Sequence, residues 1–118
     1  MFLYGSYYLS GFLNEKPLAD LRTDLAALGL TRDEARAETE DHIAYVFELM
    51  RYLIAGDDVA VCNLEQQRRF FRAHVQPWVE DLCVAVEAHP RALTWRALAV
   101  FTRTFVQVEA QGFDLLEA

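Results

Sequence analysis

Glu40, Asp41 and His42 are the residues whose types and spacing could do chemistry. An acidic pair and an imidazole stand directly ahead of a run in which Ile43, Val46, Phe47, Met50, Leu53 and Ile54 recur at helical spacing. The pattern predicts a helix from about Asp41 to Ala55, with titratable groups at its start and an apolar wall beside them. Two roles fit Asp41. As a helix cap, its carboxylate would accept backbone N–H groups, with His42 a solvated first-turn residue. As a binding group beside Glu40, it would offer negative charge to guanidinium groups, each held through two parallel hydrogen bonds. His42 would then add a donor or acceptor that changes near neutral pH. Such a helix start suits a peptide carrying both cationic and apolar residues.

A second constellation is His74-Val75-Gln76-Pro77-Trp78. Packing accounts for it most simply: Trp78 as a core anchor, Pro77 as a helix break, and His74 bonded to a nearby carbonyl. A part in shaping a peptide groove is the alternative. Other chemistries lack their residues. His42, His74 and His89 are scattered, and none pairs at i, i+4 with another ligand, so no metal site is expected. Neither a Gly-x-Ser-x-Gly motif nor an activated cysteine setting is present. No glycine loop would cradle a phosphate. The chain therefore reads as a non-enzyme without a cofactor.

The elements that must position these residues are helices. Pro17 suits a first helical turn, Leu18, Leu21, Leu25 and Leu28 follow on one face, and Gly29 reads as the left-handed stop. Thr31 with Glu34 and Asn63 with Gln66 are capping-box patterns. They predict a short polar helix or turn to about Glu38 and a helix to about Val75. Pro77 ends that helix, and the next starts at Pro77-Trp78, with Trp78, Leu82 and Ala85 on one side, and closes before Pro90. The last helix is expected from about Ala92 to Gln111, with Leu98, Phe101, Phe105 and Val108 as its core face and Gly112 as its stop. On that expectation Phe101→Ala costs about 3–5 kcal/mol. No segment alternates as a strand would. The expected architecture is a single all-α domain over residues 1–118, a bundle of about five helices.

Composition sets the outer bounds. The 118 residues are 53% hydrophobic and 13% aromatic, which suits a packed core and argues against disorder. A net charge of −7 disfavours nucleic acid, whose phosphates select basic surfaces. Cys62 and Cys83 form no metal-ligand spacing and no disulfide framework, so reduced thiols in a cytoplasmic protein are expected. The start Met1-Phe2-Leu3-Tyr4-Gly5 has neither the basic leader nor the apolar core of a signal peptide, and no apolar run is long enough to span a bilayer. Phe2, Tyr4, Tyr7, Tyr8 and Phe12 make the first residues unusually aromatic, and such side chains want a surface to pack on.

On these residues the chain resembles the TorD-type maturation chaperones of molybdenum-containing redox enzymes, the TorD/DmsD/NarJ-like group. The resemblance rests on Glu40-Asp41-His42 followed by Phe47-Glu48-Leu49-Met50, on Tyr7-Tyr8-Leu9, on the block from Gln66 to Trp78 with Phe70, His74, Pro77 and Trp78, and on the amphipathic segment from Thr102 to Leu115. It implies a partial TorD-like fold corresponding to the C-terminal half of such a chaperone. It also implies a site formed by Glu40, Asp41, His42, Tyr45, His74, Pro77 and Trp78. The implied partner is the twin-arginine signal peptide of a molybdoenzyme precursor, with formate dehydrogenase the favoured client. A homodimer, with exchanged segments as one form, is expected, because a half-chain exposes an apolar face. The alternative is a helical oligomerisation module without peptide binding of its own. A groove at Glu40-Asp41-His42 would favour the first reading, and a two-fold patch over Tyr7, Tyr8 and Phe12 the second.

Overall fold

In a computed structural model, residues 3–10, 16–30 and 40–116 are described. They form six helices: α1 (Gly5–Ser10), α2 (Lys16–Ala27), α3 (Ile43–Ala55), α4 (Leu64–His74), α5 (Val79–Ala88) and α6 (Thr94–Leu116). The all-α expectation holds; the five longer helices make up the bundle, and α1 adds about one and a half turns. The predicted turn or helix between Thr31 and Glu38 lies outside the described residues.

Each helix boundary has a local cause. In α2, Leu18, Leu21 and Leu25 are buried on one face, and Gly29 follows at φ 78°, a left-handed conformation that glycine adopts without a Cβ penalty. The start of α4 is capped by Asn63, whose side chain accepts from the Gln66 N–H at 3.0 Å. At the end of α3, Gly56 is required for space rather than for its dihedral. A Cβ there would run into Cys62 Sγ and come within 2.8 Å of the Tyr52 carbonyl.

The His-x-x-Pro-Trp spacing also has a physical reading. The last carbonyls of a helix lack intrahelical donors, and Pro77 has no N–H to offer those at the end of α4. The chain turns through residues 75–78, and the Trp78 indole Nε1–H donates to the His74 carbonyl at 2.6 Å. Trp78 is only 1% exposed. Tyr8 stacks on it at 5.6 Å, and Gly5 lies so close that an added Cβ would stand 3.0 Å from the indole. His74 Nε2 meets Asp24 Oδ2 of α2 at 2.5 Å. The aromatic start of the chain thus packs onto its own core through Tyr8.

Two expectations about α6 are corrected. Gly112 does not stop the helix, which continues through it to Leu116; an isolated glycine weakens a helix without ending it. The core face is also a different one. Ala99, Val106 and Phe113 are buried, whereas Leu98, Phe101, Phe105 and Val108 are exposed. The helix therefore carries two apolar faces, and the smaller-looking one is buried, with Phe113 against Phe71 of α4 at 5.1 Å. In α3, likewise, Val46 and Leu53 are buried while Phe47 and Ile54 are exposed.

α5 and α6 form a hairpin, and α3 packs chiefly on α4. Arg103 of α6 clasps Glu87 of α5 through two hydrogen bonds of 2.7 and 2.8 Å. Arg96 donates to the carbonyls of Glu87 and His89, both at 3.0 Å, and so satisfies the open end of α5. Leu93 makes the turn at φ 47°, a conformation that leucine adopts at a steric cost.

Candidate functional site

α3 begins at Ile43, and its N-cap is His42 rather than Asp41. His42 Nδ1 accepts from the Ala44 N–H at 3.1 Å. In neutral imidazole this leaves the proton on Nε2. The ring stands edge-on to Tyr4 at 5.1 Å and to Tyr45 at 6.3 Å. The chain start is tied to this turn by backbone: Gly5 N–H donates to the Asp41 carbonyl at 2.9 Å, and Ile43 N–H to the Leu3 carbonyl at 2.8 Å, with Tyr4 and His42 as an isolated antiparallel bridge pair.

The two carboxylates are less open than the sequence suggests. Asp41 is 3% exposed. Glu40 is also buried, and Arg22 of α2 holds it bidentately, Nε to Oε2 at 2.8 Å and Nη2 to Oε1 at 3.1 Å. That hydrogen bonding pushes the Arg22 guanidinium pKa up, with the charges of Glu40 and Asp41 acting in the same direction. Half of the Arg22 side chain is in solvent, against a tenth of that of Glu40. This turn therefore already recognises one guanidinium.

Beside it α3 parts from the α5–α6 hairpin and leaves an open groove of about 500 Å³. Its walls are almost entirely apolar. Ile43 and Phe47 come from α3, Leu82 and Val86 from α5, Trp95 and Leu98 from α6, and Arg91 and His89 stand at the edge. Trp95 is largely exposed. The groove starts at Leu3, Ile43 and Ala44, immediately after the Glu40–His42 turn. Cys83 also lines it; burial pushes its thiol pKa up, and Glu87 adds to the effect.

The structure thus brings Glu40, Asp41, His42 and Tyr45 together at one end of the groove. It places His74 and Trp78 in the core, linked to that turn through Gly5 and Tyr8, while Pro77 is exposed. Arg22 and the walls Leu82, Val86 and Trp95 carry no local signature, because they come from three helices and meet only in the fold. Among the described residues no cluster of three or more histidine, cysteine, aspartate or glutamate side chains could hold a metal, and no helix is long and apolar enough to cross a membrane.

No curated protein and no solved structure matches the sequence. The pattern described as nitrate reductase delta subunit matches residues 1–84, which hold the Glu40–His42 turn, α3, α4 and the His74–Trp78 block. With the match covering more than half of its length, the chain belongs to the nitrate reductase delta subunit family, a family of redox-enzyme maturation chaperones rather than of enzymes.

Proposed function

We propose that this chain is a cytoplasmic chaperone that holds the twin-arginine signal peptide of a molybdenum-containing oxidoreductase precursor while the cofactor is inserted. The observation that carries the proposal is the adjacency of the Glu40–His42 turn to the apolar groove. A twin-arginine signal peptide has a cationic motif followed by an apolar segment, and the site offers a matching order. The apolar segment lies along Ile43, Phe47 and Trp95, where burial rewards each apolar side chain. The arginines meet the turn. Glu40 exchanges Arg22 for a client guanidinium, buried Asp41 supplies negative field, and His42 and Tyr45 shape the contact. His74, Pro77 and Trp78 act by holding the chain start against this turn.

No bond is made or broken, so neither a catalytic residue nor a cofactor of the chaperone's own is needed. The signal peptide must be met before export, which sets the cytoplasm as the place of action. Family membership supports a redox-enzyme client; formate dehydrogenase is the client we favour, from overall resemblance. The chaperone acts as a homodimer. Amide hydrogen exchange tests the site. Adding a twin-arginine peptide should protect the first turn of α3 and the groove-facing turns of α5 and α6. Protection confined to other helices would refute this placement.

A further inference from the structure

We infer that the outer face of α6 is a two-fold antiparallel contact between copies of this chain. The inference deepens the homodimer reading and rests on it. Leu98, Phe101, Phe105, Val108 and Leu115 are between 52% and 76% exposed. Their steps of three, four and three continue through Gly112 to Leu115, which is the seam of a helix pair. Ala99, Val106 and Phe113, the buried face, lie well away from it. A contiguous exposed apolar stripe of this length marks an interaction surface.

The residues on the stripe, rather than its spacing, favour a second copy over an unrelated peptide. Positions 98, 101, 105, 108, 112 and 115 are symmetric about the midpoint between Val106 and Gln107. An antiparallel copy brings Leu98 to Leu115, Phe101 to Gly112 and Phe105 to Val108. Gly112 supports this register. Glycine weakens a helix interior relative to alanine, its φ is not positive here, and an added Cβ would meet nothing within 4 Å. Nothing among the described residues of the chain requires a glycine at 112. Opposite Phe101 of a second copy, it makes room for a ring.

Charge and area agree. A chain of net charge −7 repels its copy wherever acidic groups face each other. The flanks of this seam are Ala97, Thr102, Thr104 and Gln111, with Glu109 the one charged residue between positions 97 and 112 at the seam's edges. In the antiparallel register Glu109 falls opposite Thr104, not opposite another glutamate. Without Trp95, which belongs to the peptide groove, the exposed side chains from Leu98 to Leu115 present on the order of 600 Å² per copy, the low end of what a standard-size interface takes from each partner.

Sedimentation equilibrium of the full chain, from low to several hundred micromolar, tests the dimer. Disulfide trapping between copies tests the register. The expected result is a dimer whose dissociation constant rises at least about tenfold in Gly112→Leu, although leucine is the better helix former. Phe105→Asp should sediment as a monomer with unchanged helical circular dichroism. Mixing Phe101→Cys with Gly112→Cys chains should give a disulfide joining those two positions by peptide mapping. A monomer throughout would overturn the homodimer reading and this interface together. A dimer indifferent to Phe105→Asp and Gly112→Leu, or one in which Phe101→Cys links to itself, would overturn this interface alone.

Discussion

Arg22 grips Glu40 with two hydrogen bonds, at 2.8 and 3.1 Å, although eighteen positions separate them. The turn expected to await an arginine from outside already holds one from inside. In the proposed reading the two guanidiniums compete for the same carboxylate. Arg22→Gln should then tighten binding of a twin-arginine peptide several-fold. It should also cost about 1–3 kcal/mol of stability, since Glu40 loses its partner in a buried place. Isothermal titration and chemical denaturation of the same variant measure both. Lost stability with unchanged affinity would make the pair purely structural.

The groove gives a second prediction. Ala44 is exposed and faces the groove at the start of α3. Ala44→Trp should fill it and weaken peptide binding by at least about tenfold, with stability changed by no more than about 0.5 kcal/mol. Fluorescence anisotropy of a labelled peptide reads the first effect and thermal unfolding the second.

Buried and exposed aromatics should respond in opposite ways. Trp78→Ala removes the ring under Tyr8 and the donor to the His74 carbonyl, and should cost about 3–5 kcal/mol. Phe101→Ala, measured in dilute chain, should cost less than about 1 kcal/mol, because the side chain is exposed. Urea denaturation of the two variants decides between this face of α6 and the one that periodicity suggests.

That contrast shows what the sequence made legible. The helix starting at Pro17, its stop at Gly29, the Asn63 cap and the break at Pro77 all rest on residues within a few positions of one another, and all are found where local chemistry puts them. The buried face of α6 was not legible. Leu98, Phe101, Phe105 and Val108 form the bulkier stripe, while Ala99, Val106 and Phe113 recur only every seven residues and include an alanine. Periodicity finds an apolar face but cannot say what covers it. The sequence singles out Glu40-Asp41-His42 as a candidate, and the fold sets that turn beside an apolar groove. The burial of Asp41, the pairing of Glu40 and the far wall of the groove were not, because each depends on another helix.

Cys83 supplies a pH-dependent reporter. Only the thiolate reacts with iodoacetamide, and burial with Glu87 nearby holds the thiol protonated to higher pH than usual. Its alkylation should therefore be slow near neutrality and accelerate only as pH rises past the ordinary thiol range. Bound peptide should slow it further. Mass spectrometry of the Cys83 peptide, with and without ligand, follows the reaction. An unchanged rate at saturating peptide would place the peptide elsewhere.

The central claim is that the turn and groove together capture a twin-arginine signal peptide. Its most direct test is a calorimetric titration of the chain with such a peptide, beside the same peptide with both arginines replaced by glutamine. The account predicts that the arginine peptide binds at least about tenfold tighter, the scale of one charge-assisted hydrogen bond. The advantage should shrink as salt is added. Equal affinity for the two peptides, or binding of neither, would contradict it.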